Sequence, residues 1–228
     1  MPLLCLHAIS HQGSIVSLRA RQQEEKQERR DSILDAAEQV FFERGYERAT
    51  MDHIARQAGL SRGLLYVYFR DKQGILASIM LRAAEGLRQR FRDTDRAELS
   101  GADRIEAMGR NYLAFSIEQP NYFDVLTRAA SDWPQADTQT DLGPLQVCTG
   151  EVMEIMSRAI QDGIDDRSID PARIADPLQT ALYLRGALHG VIMLTRNIGK
   201  RPAAPAEGDP AALVEYTIRT LSASIRLK

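Results

Sequence analysis

Apolar residues along this chain recur at three- and four-residue intervals almost from end to end, and no stretch alternates convincingly with a period of two. That periodicity predicts helices throughout and no strands. From Arg21 to Arg44 the positions Ile33, Leu34, Ala37, Val40 and Phe41 form one apolar stripe. Gly45 follows where a left-handed residue would stop the helix, and Tyr46 can fold back on it. Thr50 is placed to cap a short helix running to Ala58, with Asp52 in its first turn to suit the helix dipole. Gly59 turns the chain, Ser61 caps a second short helix, and Asp71 caps a long one reaching about Phe91. Further helices are expected at roughly 102–118, 120–131, 142–163, 173–197 and 209–226. The loops "DWPQADTQTDLGP" and "GKRPAAPAEGDP" carry proline punctuation. The segment "ALYLRGALHGVIMLTRN" is apolar almost all round, which predicts a helix buried on several sides, facing its own domain and a second subunit. In the last helix an Asp cap and a Pro at the first position precede a stripe of Leu213, Val214, Thr217, Ile218, Leu221 and Ile225.

Composition changes this picture in two ways. Hydrophobic residues at 44% and charged residues at 26% of 228 belong to a core-forming globular chain, so disorder and fibrous repeats are excluded as its main character. The net charge of −2 conceals an asymmetry: residues 19–92 hold 15 Lys+Arg against 11 Asp+Glu, and residues 93–228 hold 14 against 20. A basic front and an acidic rear point to a polyanion contact confined to the N-terminal third. Two cysteines, Cys5 and Cys148, make no disulfide framework and fit a reducing cytoplasm. The opening "MPLLCLHAISHQGSIVSL" is uncharged, interrupted by His7, His11 and Gly13, and lacks a basic start. It reads as neither signal peptide nor membrane span, and residues 1–20 are expected to be a poorly ordered extension.

Positions 51–70 then read as a helix-turn-helix. Two short helices that cross tightly need a small residue at the crossing, which Ala55 supplies, and a turn residue tolerant of positive φ, which Gly59 supplies. Ile54, Ala58, Leu60 and Leu65 fall where the inner faces meet. A helix as short as 62–68 is not stable alone and must be held by that packing. Its free face is left with Arg62, Gly63, Tyr66 and Val67, residues suited to base edges and phosphates in a major groove. An arginine there can pair bidentately with guanine, worth roughly 1–3 kcal/mol of discrimination.

At these residues the chain resembles the tetracycline-repressor (TetR) family of bacterial transcription regulators. The resemblance runs through "AAEQVFFERGYERATMDHIARQAGLSRGLLYVYFRDKQGIL", residues 36–76, matching G-[YF]-x-x-x-T, I-A-x-x-A-G-[VL]-S-x-G-x-[LI]-Y-x-[YH]-F and K-x-x-L. It implies an all-α fold with a three-helix DNA-binding domain at 21–72, a linking helix at 72–92, and a helical ligand-binding and dimerisation domain at 93–228. It implies that Arg62, Gly63, Leu64, Tyr66 and Val67 approach bases or backbone, and that Thr50, Tyr68 and Lys72 meet phosphates. Leu64 and Val67 depart from the commoner pattern, in which a small hydroxyl residue and a larger polar or aromatic one are frequent; both changes remove hydrogen bonding and suggest contacts with thymine methyls. The family layout further implies a homodimer joined through the last two helices, here at Leu188, Val191, Ile192, Leu213, Ile218, Leu221 and Ile225. Such a dimer binds a palindromic operator on double-stranded DNA and is released by a small-molecule effector, as a repressor.

Each sharper reading has a plainer companion. Tyr112, Phe115, Phe123 and Trp133, with Met153, Met156 and Met193, are candidates for a ligand pocket because soft and aromatic side chains adapt to apolar ligands, yet the same stripes build ordinary core. His189 is either a satisfied core or interface histidine or a ligand sensor. The Arg19–Arg30 run is a solvated helix extension, with Glu25 able to pair Arg29, or else Arg19 and Arg21 form a minor-groove arm. Cys5, His7 and His11 do not amount to a metal site, and Asp165, Asp166 and Asp170 read as a loop and a cap. No G-x-S-x-G, P-loop, dinucleotide or H-E-x-x-H motif appears, so no enzyme activity, metal or cofactor is expected. The alternative that keeps this fold is a DNA-associated or interaction protein whose C-terminal domain binds a protein partner and no effector.

Overall fold

The computed structural model describes residues 9–96, 98–131, 142–198 and 209–227. Among them are nine α-helices and one 3-10 turn: α1 Ile9–Arg44, α2 Met51–Gln57, α3 Arg62–Tyr68, α4 Lys72–Thr94, α5 Gly101–Glu118, α6 Pro120–Ser131, α7 Gly143–Asp165, the turn Pro171–Arg173, α8 Pro177–Ile198 and α9 Pro210–Ile225. Strands are absent among the described residues; one isolated antiparallel bridge joins Ile169 to Arg226.

The predicted punctuation is where the helices break. Gly45 and Gly59 take φ of 77° and 66°, the left-handed region that glycine enters without a Cβ penalty. The Tyr46 ring folds back edge-on against Phe41, with centroids 5.4 Å apart. Thr50 accepts from the backbone N–H of His53, Ser61 from that of Leu64 and Asp71 from that of Gly74, so α2, α3 and α4 each start with an oxygen over a free donor.

Two boundaries differ from the sequence expectation. Helix α1 spans Ile9–Arg44 and so starts before the expected Arg21; the side chains from Arg19 to Arg29 are exposed. The run is rich in Gln, Glu and Arg, good helix formers, and Glu25 meets Arg21 at 3.2 Å rather than the expected Arg29. Arg19 and Arg21 therefore stand on a helix, not on an extended arm. Helix α8 begins at Pro177 and not near 173, because Asp176 caps it through the Gln179 N–H and the residue before a proline is pushed out of helical conformation. Asp170 caps the preceding 3-10 turn by accepting from Ala172.

The chain divides into two compact units, Met1–Ile79 and Met80–Lys228, with the division inside α4. The first has Ile33, Ala37, Ile54, Leu65 and Ile75 buried at its centre. The second packs α5, α7, α8 and α9 around Phe115, Phe123, Ile155, Ile160 and Ile218. There α5 starts against the end of α7 so closely that a Cβ on Gly101 would lie 2.2 Å from the Gly163 nitrogen. Arg104 locks this corner, donating to Asp95 at 2.8 Å and Asp162 at 2.9 Å.

Candidate nucleic-acid interface and interior cavity

Helix α3 is two turns of backbone held by one side chain. Leu65 is fully buried, Phe69 is buried just past the helix end, and Tyr68 is half-buried. Arg62, Gly63, Leu64, Tyr66 and Val67 are all exposed, with Tyr66 and Val67 at 42% and 72%. Large apolar groups exposed on so short a helix leave an outer face that the protein's own packing does not use.

On that face Arg62 is already held. Its Nε lies 3.4 Å from an Asp52 carboxylate oxygen, and its Nη2 reaches the Tyr66 hydroxyl at 3.4 Å. The guanidinium lies 5.6 Å from the Tyr66 ring centroid. Hydrogen bonding to Tyr66, then the Asp52 charge, raises its pKa further, so it is a permanent cation. Asp52 was legible only as a first-turn acid; that it also tethers Arg62 follows from the crossing of α2 and α3. Gly63 has negative φ and nothing within 4 Å of where a Cβ would stand, so the protein's own packing does not require a glycine there. Two exposed cations nearby, Arg48 and Arg56, were not singled out by sequence; each folds its Nε onto a backbone carbonyl four residues earlier.

Thr50 is exposed, and its hydroxyl accepts from His53 while its own hydrogen remains available. Lys72, expected at a phosphate, rests against the turn between α1 and α2. Its ammonium donates to the carbonyls of Tyr46 at 2.8 Å and Ala49 at 3.1 Å, approaches that of Glu47 at 3.5 Å, and sits 4.2 Å from the Tyr46 ring centroid. Arg30 does a parallel job from α1: it donates to the Tyr68 carbonyl and to Ser78, and stacks 4.3 Å from the Phe69 centroid.

In the second unit a cavity of about 40 Å³ lies among α5, α7, α8, α9 and Phe91 of α4. Two of the pocket candidates, Tyr112 and Met156, line it. Phe115, Phe123 and Met153 are instead buried core, Met193 packs against that core from its edge, and Trp133 lies outside the described residues. His189 does not line the cavity either. Its Nδ1 is 2.8 Å from the Tyr112 hydroxyl, and burial, then the charge of Arg185, lowers its pKa. Burial pushes the Tyr112 phenol up to about 12. Lining residues that the sequence did not flag include Ile105, Met108 and Arg185. The first two follow the same inward stripe of α5 as Tyr112 and were readable there.

The residues expected at a dimer interface lie mostly on the inward faces of their helices. Leu188, Ile192, Ile218 and Ile225 are buried within their own subunit, Val191 and Leu221 are half-buried against the same core, and Leu213 alone is exposed. The outward apolar face of α8 carries Leu178, Leu182, Tyr183 and Leu194, and that of α9 carries Leu213 and Tyr216. A helix apolar all round gives no phase, so periodicity could not separate inner from outer stripe.

Among the described residues no group of three His, Cys, Asp or Glu could hold a metal, and no helix is long and apolar enough to cross a membrane.

A capped pair of short crossing helices with a polar and aromatic outer face, followed by a separate helical unit, defines a helix-turn-helix transcription regulator. Residues 33–79 match the family described as bacterial regulatory proteins, tetR family, and residues 105–221 match the tetracyclin repressor-like C-terminal domain. The chain belongs to the TetR family of DNA-binding transcription regulators, not to an enzyme family. It is 29% identical over 134 residues to the transcriptional activator FasR of Mycolicibacterium smegmatis, covering 58% of this chain and 61% of that one. With the transcriptional repressor BepR of Brucella suis it shares 49% over 63 residues, covering 28% and 30%. The chain thus spans less than two thirds of either relative. Its fold is that of FadR from Bacillus subtilis, solved in complex with stearoyl-CoA, at a TM-score of 0.66 and 18% identity over 86% of this chain and 98% of that one.

Proposed function

We propose that the chain acts as a homodimeric repressor that reads a near-palindromic operator with α3 and lets go when a small molecule enters the second unit. The observation that carries this reading is the outer face of α3. Arg62 is a permanent cation held over Tyr66, beside exposed Leu64 and Val67. Gly63 costs the helix about 0.5–1 kcal/mol against alanine for no internal reason. A bare backbone there suits close approach to DNA. Arg62 leaves Asp52 for guanine, Leu64 and Val67 meet thymine methyls, and Thr50 and Tyr68 donate to phosphates. Two copies related by a twofold axis would set their reading helices about one DNA turn apart, ~34–36 Å. The outward face of α8 and α9 supports that pairing, and the cavity beside Tyr112 supports the effector.

Selection of bound fragments from random-sequence DNA by the full-length protein tests the reading, followed by binding at several salt concentrations. The expected result is a palindromic motif with a steep salt slope. Arg62→Ala should weaken specific binding by roughly 1–3 kcal/mol and relax the preference at one symmetric base position. Salt-sensitive binding without any motif would sink the proposal.

A further inference from the structure

The cavity of the second unit has one feature that the need for an apolar pocket does not explain. Its walls are Phe91, Ile105, Met108, Tyr112, Met156 and Leu184, yet Glu106 and Arg185 also face it. The two charges are not each other's partners. Glu106 is neutralised twice, by Arg110 at 3.1 Å and Arg226 at 3.3 Å. The other carboxylate of this neighbourhood, Glu215, takes two hydrogen bonds from Arg110. Arg185 has no ion pair among the described residues, and the groups that feel its charge are the neutral Tyr112 and His189. A half-buried arginine against apolar walls, with Glu106 and Glu215 already paired elsewhere, is a donor fork without an acceptor among the described residues.

Resting on the effector reading above, we propose that the cavity takes an organic anion with an apolar body, a monocarboxylate held head-on by Arg185 with its hydrocarbon among Met108, Met156 and Leu184. Guanidinium matches carboxylate with two parallel N–H···O bonds, which sets both affinity and orientation. A neutral ligand would leave the cation unpaired, and a cationic one would meet it head-on. The size of the cavity supplies the second half of the argument. At about 40 Å³ it has room for a few waters, against roughly 300 Å³ or more for an ordinary ligand site. Entry therefore has to move side chains. Met108 and Met156 are the flexible ones, and Leu188 and Ile218, which line the cavity with them, belong to α8 and α9. A ligand that binds only by repacking these helices binds one arrangement of the unit better than the other, which is what an effector needs.

Calorimetric titration of the full-length protein with octanoate and dodecanoate, and with the matching alcohols and amines, tests this. The carboxylates should bind roughly ten- to a hundredfold more tightly than either counterpart, the worth of a charge-assisted hydrogen-bonded pair. Arg185→Gln should erase that advantage while alcohol binding holds within about twofold, which also shows that the variant is folded. Alcohols binding as tightly as acids, or acids indifferent to Arg185→Gln, would overturn the anion assignment and leave the effector site standing. Tighter binding of the amines would overturn it as well. If none of the six compounds binds, both the anion and the cavity as effector site fall.

Discussion

At the scale of single residues, burial decides which polar groups are structural and which are offered to a partner. Tyr112 is the clearest structural case: its hydroxyl is committed to His189, its ring lies 5.4 Å from that of Phe123, and burial raises its pKa from 10 to about 12. In the unfolded chain the phenol ionises near 10. Between pH 10 and about 12 the unfolded state therefore binds fewer protons than the folded one, and stability falls as pH rises through that window. Two pK units correspond to about 2–3 kcal/mol. Urea unfolding of the wild type and of Tyr112→Phe should give curves whose difference is constant up to about pH 10 and then shifts in favour of the variant. A difference that stays flat to pH 12 would mean the phenol is not held neutral by the fold. Arg62 is the opposite case: it is exposed, and so are its partners Asp52 and Tyr66. Reading the residue types gave both as polar aromatics or cations on helices; only the fold distinguishes the sealed pair from the open one.

At the scale of elements, short helices were legible because their ends are written in residues with local chemistry. Thr50, Ser61 and Asp71 cap where a side-chain oxygen can reach a backbone N–H two or three residues on, and Gly45 and Gly59 turn where φ is positive. What sequence could not supply was anything fixed by a distant partner. The phase of α8 is one such case, because both its faces are apolar. Lys72 is another: four carbons let it turn back onto a loop more than twenty residues earlier, where it joins the start of α4 to the turn between α1 and α2. Lys72→Met tests this joining role. Leaving the Tyr46 and Ala49 carbonyls without a donor should cost about 1–3 kcal/mol of stability in thermal unfolding. DNA affinity should then drop by a similar factor for specific and random sequence, with the slope of log affinity against log salt unchanged. A slope shallower by ~0.9 would place the ammonium on a phosphate instead.

At the scale of the whole molecule, the question is what covers the outward face of α8 and α9. Tyr183 at 61% and Tyr216 at 59% exposure, with Leu178, Leu182 and Leu194 beside them, make more apolar surface than scattered residues account for. On the same side of α8, Gly186 and Gly190 are exposed, one helical turn apart, with nothing within 4 Å of a Cβ at either. Small residues there let a second helix come close without either subunit's own packing needing them. A copy of the same chain, related by a twofold axis, would lay the same face against it. Leu182→Glu with Tyr183→Glu should therefore give a folded monomer by sedimentation, because both side chains project outward and neither supports the core. Each monomer would keep one reading helix, so its affinity for a palindrome should fall toward that for a single half-site. Leu188→Glu, on the inward stripe, should unfold the second unit rather than separate subunits. Should the double variant sediment as a dimer, the pairing face lies elsewhere. The exposed tyrosines and glycines of α8 would then need a different occupant.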